Sequence, residues 1–188
     1  MIDLVAQPDG FMQTEIGFLN EEERLVAELE LLGIRYLSRQ TAFLADGVRP
    51  PSVLLADLVR QPSARVRASV IAVLLAHSDY AAHMPAALKR LDMDGQLRLK
   101  LLYTAAVFLQ RKYADRLRRF VADGWQWLPD LFSAELGLPP EGTPHERLAA
   151  LGRAHSHLTN TAVNWTGTYE NVAEHLLRRW ELERLWSQ

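Results

Sequence analysis

A shift of 33 residues brings the middle of the chain onto itself. Leu55 falls on Leu88, Leu58 on Leu91, Pro62 on Gly95, Arg65 on Arg98, Val66 on Leu99, Arg67 on Lys100 and Ala72 on Ala105. A repeat of this length has room for two helices, and a unit that small buries its apolar face only by stacking on the next. Within the first unit, Leu54, Leu55 and Leu58 form one apolar stripe, Pro62 interrupts it, and Val66, Val70, Val73 and Leu74 form a second that stops near His77-Ser78-Asp79. A further shift carries Tyr80-Ala81 onto Tyr113-Ala114, so residues 113–123 read as the first helix of a third unit. Composition agrees: 32 Leu and 23 Ala stand against 12 Val and 4 Ile, favouring helices over strands because Leu and Ala lose little rotamer freedom on a helix.

Residues Leu54 to Leu75 resemble a HEAT-type repeat. Its first helix carries a Leu pair near its end (Leu54-Leu55, with Leu58), a Pro-containing turn follows (Pro62), and its second helix opens on a Val-Arg pair (Val66-Arg67) before an Ala- and Leu-rich face (Ala72 to Leu75). The second copy has Gly95 for the Pro and Leu99-Lys100 for the Val-Arg, so the resemblance covers two repeats, residues 52–110. It implies an all-α fold, a short α-solenoid of HEAT-like helical repeats with a concave second-helix surface. An irregular helical bundle is the alternative architecture.

The flanks complete one helical domain over residues 1–188. Pro8-Asp9-Gly10 is a turn signal, so residues 1–19 read as a small β-hairpin or an extended arm. Asn20 with Glu23 spells a capping box, and Leu25, Leu29, Leu32, Tyr36 and Phe43 continue an apolar face, which predicts a first helix over residues 20–46. The repeats are assigned to residues 52–124. Thr143, Pro144 and Glu146 then open a C-terminal helical hairpin over residues 143–186. Leu148, Leu151, His155, Leu158, Ala162 and Trp165 form the seam of its first helix, ended by Gly167. Thr168 begins the second, with Val172, Leu176 and Trp180 on its apolar face, and the hairpin is expected to cap the array.

The chain has no Cys, which removes disulfides, thiolate nucleophiles and sulfur-ligated zinc. Its longest apolar run, Val70 to Ala76, is far shorter than a membrane helix, and the start lacks a basic signal-peptide pattern. A cytoplasmic location with no membrane partner is the expectation. The net charge of −2 hides a basic middle third between acidic ends. That asymmetry means either a site for an anionic partner or pairing of the middle with its acidic neighbours, and the second reading is favoured.

Two basic sets follow. Arg65, Arg67, Arg98 and Lys100 occupy equivalent positions at the starts of second helices, where HEAT-type proteins use basic residues in an Asp-Arg ladder; Asp57, Asp92 and Asp94 are the candidate partners. Lys112, Arg116 and Arg119 recur at four and three along one face, where they could meet phosphates, with Trp125 and Trp127 beyond them to stack on bases. HEAT-like DNA glycosylases use a basic groove with aromatics and an Asp, which singles out Asp130.

Arg153, His157, Asn160 and Asn164 form a polar stripe that could line a cleft. His155, on the opposite side of that helix, reads as a core histidine, and the two His diverge too far to share a metal ion. Asp92-Met93-Asp94-Gly95 lacks the later ligands of a calcium loop and reads as a turn capped by Asp94. No catalytic set, metal site or cofactor motif is assigned. The favoured function is a non-enzymatic scaffold or adaptor that binds another protein or peptide through its concave surface. A HEAT-like nucleic-acid-binding or repair protein using the basic middle third is the alternative.

Overall fold

The computed structural model describes residues 20–37, 47–121 and 124–186; the expected N-terminal arm at 1–19 and residues 38–46 of the expected first helix lie outside them. Among the described residues the fold is all-α, without strands. Its elements are α1 (Glu21–Leu31), α2 (Pro51–Arg60), α3 (Ala64–Ala76), α4 (Met84–Leu88), α5 (Met93–Lys112), α6 (Ala114–Leu117), α7 (Pro144–Thr159) and α8 (Trp165–Trp186), with a 3-10 turn Ser78–His83 before α4. No helix among these residues is long and apolar enough to cross a membrane.

The 33-residue recurrence holds for the starts of the first helices, α4 beginning 33 residues after α2, but not for the second, since α5 begins only 29 residues after α3. The first helices α2 and α4 pack together, as do the second helices α3 and α5. From Leu101 to Gln110 every side chain of α5 is buried, which makes it the central rod of the molecule rather than one layer's edge. Its polar groups are accounted for. Thr104 donates back to Lys100 O, Gln110 donates to Gln126 O and accepts from Leu128 N, and the Tyr103 hydroxyl donates to Pro129 O at 2.8 Å. These bonds clip the irregular segment 124–138 along α5.

The C-terminal helix does not cap the array at its end, as expected from sequence. It lies across the second-helix faces, touching α3 and α5 as well as α7. The cause is its apolar stripe of Tyr169, Val172, Ala173, Leu176 and Leu177, which those faces bury completely or nearly so. Burial of each of the larger side chains contributes roughly 1.5–3 kcal/mol, so α8 is an integral layer and not a detachable flap. Further along, the Trp180 indole donates to Gly33 O and His175 stacks on Tyr36, tying α8 to the segment after α1.

Several boundaries differ from the sequence reading. The first helix ends at Leu31 rather than running to 46, because Gly33 takes a positive φ of 78° and the Ile34 N–H turns back to Leu29 O. The third unit's first helix is the four-residue α6, followed by turns. The cap of α5 is Asp92 rather than the expected Asp94, with Asp92 Oδ1 accepting from Gly95 N. The helix predicted to reach Gly167 stops at Thr159. There Asn160 adopts a left-handed φ of 50°, and Thr161 N–H reaches back to Ser156 O in a Schellman-type closure. Leu148, Leu151 and His155 of the expected seam are buried, whereas Leu158 and Ala162 are exposed.

Candidate functional site

The break between α7 and α8 opens a surface cleft of about 520 Å³, lined by Ala149, Gly152, Arg153, Ser156 and His157 of α7 and by residues 163–166. The α7 residues lie three and four apart, one stripe of a helix. Three of the four residues of the predicted polar stripe, Arg153, His157 and Asn164, meet here. Asn160 does not; its left-handed backbone is spent on ending α7. Asn164 also has a structural duty, since its Oδ1 accepts from Gly167 N at 3.0 Å and caps α8.

One wall is Trp165, held in place from behind. The His155 imidazole stacks flat on its indole with centroids 3.5 Å apart, and Thr161 Oγ1 accepts from the indole N–H. His155 is itself buried and hydrogen-bonded to the Tyr169 hydroxyl. Burial, and after it the positive field of Arg98, depresses its pKa to about 4, so the ring is neutral at physiological pH. Desolvation likewise drives the Tyr169 hydroxyl far above its ordinary range. A neutral, stacked pair of this kind orients the wall without adding charge. At the floor, a Cβ on Gly152 would sit 2.4 Å from Thr166 Oγ1, so only glycine lets α7 approach the start of α8 this closely.

Sequence reasoning does not single out Ala149, Gly152, Ser156, Val163, Trp165 and Thr166 as lining. A glycine inside a helix, with Ala149 and Ser156 on the same face, is the signal that marks such an approach.

The basic sets lie elsewhere and are largely spoken for. Lys112 pairs with Glu170, and Arg116 with Glu174 at 2.9 Å and Glu181 at 3.0 Å, all three carboxylates coming from α8. Arg119 is exposed. Lys100 pairs with Glu135; Arg65 donates to Tyr36 O, and Arg67 to Gln61 O and Pro62 O. Arg98 is exposed and close enough to Arg67 that its charge, second to desolvation, lowers the Arg67 pKa. Among the described residues the Asp-Arg ladder therefore does not form, and Asp57 instead binds Arg49 and Arg60.

Asp130 is not free for chemistry either. It accepts from Arg147 at 2.9 Å and from Ser133 N. Burial alone would raise its pKa, but these bonds outweigh it and hold the carboxyl below its usual value. Trp125 is anchored by its indole N–H to Leu75 O, while Trp127 is about half exposed beneath the Arg118 guanidinium, 5.2 Å from the ring centroid. Among the described residues no three His, Asp or Glu side chains gather as a metal site would require.

Compared with protein-family models, curated proteins and solved structures, the chain has no match.

Proposed function

We propose that the chain is a HEAT-like helical adaptor that holds a segment of another protein in the cleft between α7 and α8. The observation that carries this reading is the cleft's make-up. A rigidly backed Trp165 and a polar stripe of Arg153, His157 and Asn164 line it. Nearby Leu158 stands about half exposed on α7, and Val163, equally exposed, lines the cleft itself. An aromatic anchor with apolar surface and a polar rim is the anatomy of a protein interface. The 33-residue offset between α2 and α4 supports the HEAT-like part of the reading. The concave second-helix surface expected from sequence is not chosen as the binding face because α8 covers α3 and α5 there.

Selection of a random dodecapeptide library on the full chain tests the adaptor reading. Peptides should be recovered whose binding is lost in Val163→Asp and kept in Leu31→Asp, the latter exposed on α1. Recovery of peptides indifferent to Val163→Asp would remove the cleft from the account.

The nucleic-acid alternative retains one supporting observation, the exposed Trp127 beside Arg118 with Arg119 close in sequence. Base stacking on an aromatic beside a cation is how single strands are held without sequence preference. Against it, the carboxylates of α8 already neutralise Lys112 and Arg116. Binding of single-stranded DNA at physiological salt, lost in Trp127→Ala and falling steeply with added salt, would favour this alternative.

A further inference from the structure

We infer that the segment held in the α7–α8 cleft presents a carboxylate, from an acidic side chain or a C-terminus, and that Arg153 receives it. This rests on the adaptor reading above and adds the chemistry of its partner.

The ionisable residues lining the cleft are Arg153 and His157, and no Asp or Glu stands among its lining. Arg153 has no hydrogen-bond or ion-pair partner among the described residues. Arg153 lines the cleft with all its guanidinium donors available, a fork that matches a carboxylate in bidentate geometry. The polar groups around it lean the same way. Asn164 Oδ1 already accepts from Gly167 N–H, while its amide N–H donors have no partner among the described residues. Ser156 is the exception: its hydroxyl proton goes to Val163 O, so it contributes no donor to the cleft. A cavity rich in free donors and lacking an anion of its own is complementary to an acceptor that carries negative charge.

Contrast with Arg116 sharpens the point. There the chain supplies two carboxylates of its own, Glu174 and Glu181, and leaves no demand for an external one. At Arg153 it supplies none. The aromatic wall sets the rest of the ligand: Trp165 and Val163 favour an apolar side chain flanking the acid.

Asn164→Asp is the informative variant. Asp caps a helix as well as Asn does, so α8 keeps its cap, while the free amide donors become an acceptor with a negative charge. The random dodecapeptide library is selected on the wild-type chain, and the recovered peptides are titrated against wild type, Asn164→Asp and Arg153→Glu by calorimetry. The expected result is recovery of peptides with an Asp, Glu or free C-terminal carboxylate beside an apolar residue. Their affinity should fall about tenfold or more in both variants, and a Lys-for-acid version of the peptide should regain binding to Arg153→Glu. Recovery of neutral or basic peptides that still need Val163 would overturn the carboxylate and leave the adaptor reading standing. Peptides indifferent to Val163, Asn164 and Arg153 alike would overturn both.

Discussion

The imidazole of His155 lies flat against the indole of Trp165, with ring planes only 8° apart, and joins the core of α7 to the wall of the cleft. Because burial depresses the His155 pKa to about 4 from an unfolded value near 6.5, the unfolded chain takes up a proton between these values that the folded chain refuses. Stability is therefore unaffected by this group above pH 6.5 and falls as the pH drops from there towards 4. The loss is on the order of 3 kcal/mol. Urea unfolding across this range should show a shallower pH dependence in His155→Gln than in the wild type. Parallel curves would contradict the buried, neutral assignment.

Arg49 ties α1 to α2. It binds Glu28 through Nε and Nη2 and also Glu21 and Asp57, and Glu28 is only 4% exposed. Desolvation works against the Arg49 charge, but the three carboxylates more than offset it and raise its pKa. Removing Arg49 leaves a buried, unpaired carboxylate. Arg49→Ala should cost roughly 3–5 kcal/mol, and Arg49→Met with Glu28→Leu should recover much of that. Equal destabilisation of the single and double variants would show that the pair is not the cause.

The legible part of the fold was the part written in local periodicity. The capping boxes Asn20/Glu23 and Thr143/Glu146 stand where the residues placed them, and the offset between α2 and α4 matches the 33-residue recurrence. What failed depends on long-range choices. Nothing near Lys112 or Arg116 in sequence announces that Glu170, Glu174 and Glu181 of a distant helix neutralise them. The polar stripe was visible as helical spacing, but it spans a helix that stops at Asn160. Asn160 and Asn164, whose spacing reads as one continuous face, are a stop and a start. Arg153, His157 and Asn164 nevertheless meet, because the turn folds Asn164 back beside α7.

The pairing of α5 and α6 with α8 makes a second electrostatic prediction. Arg116 and its partners Glu174 and Glu181 are all partly exposed, so the pairs are worth at most about 1 kcal/mol each. Lys112→Ala with Arg116→Ala should lower the unfolding midpoint modestly, with a smaller effect at high salt. In a double-mutant cycle, Arg116→Glu combined with Glu174→Arg should be more stable than the sum of its parts predicts. Strict additivity would mean the contact is not formed in solution.

Gly152 permits the close crossing of α7 and α8. Gly152→Ala would place its methyl against Thr166 Oγ1 and 3.1 Å from the Thr166 backbone N, so the helices must part. Destabilisation of roughly 1–3 kcal/mol is expected, although alanine is the better helix former. An increase in thermal midpoint would show that the crossing is looser than described.

The central claim is that the cleft beside Trp165 is where a partner binds. Titrating a library-selected peptide into isotopically labelled protein and following the backbone amide and indole N–H resonances tests it most directly. The account predicts that the largest shifts fall on the Trp165 indole and on the amides of Gly152, Arg153, Asn164 and Thr166, with the Trp127 indole unmoved. Shifts centred on Trp127 and Arg118, with Trp165 silent, would contradict it.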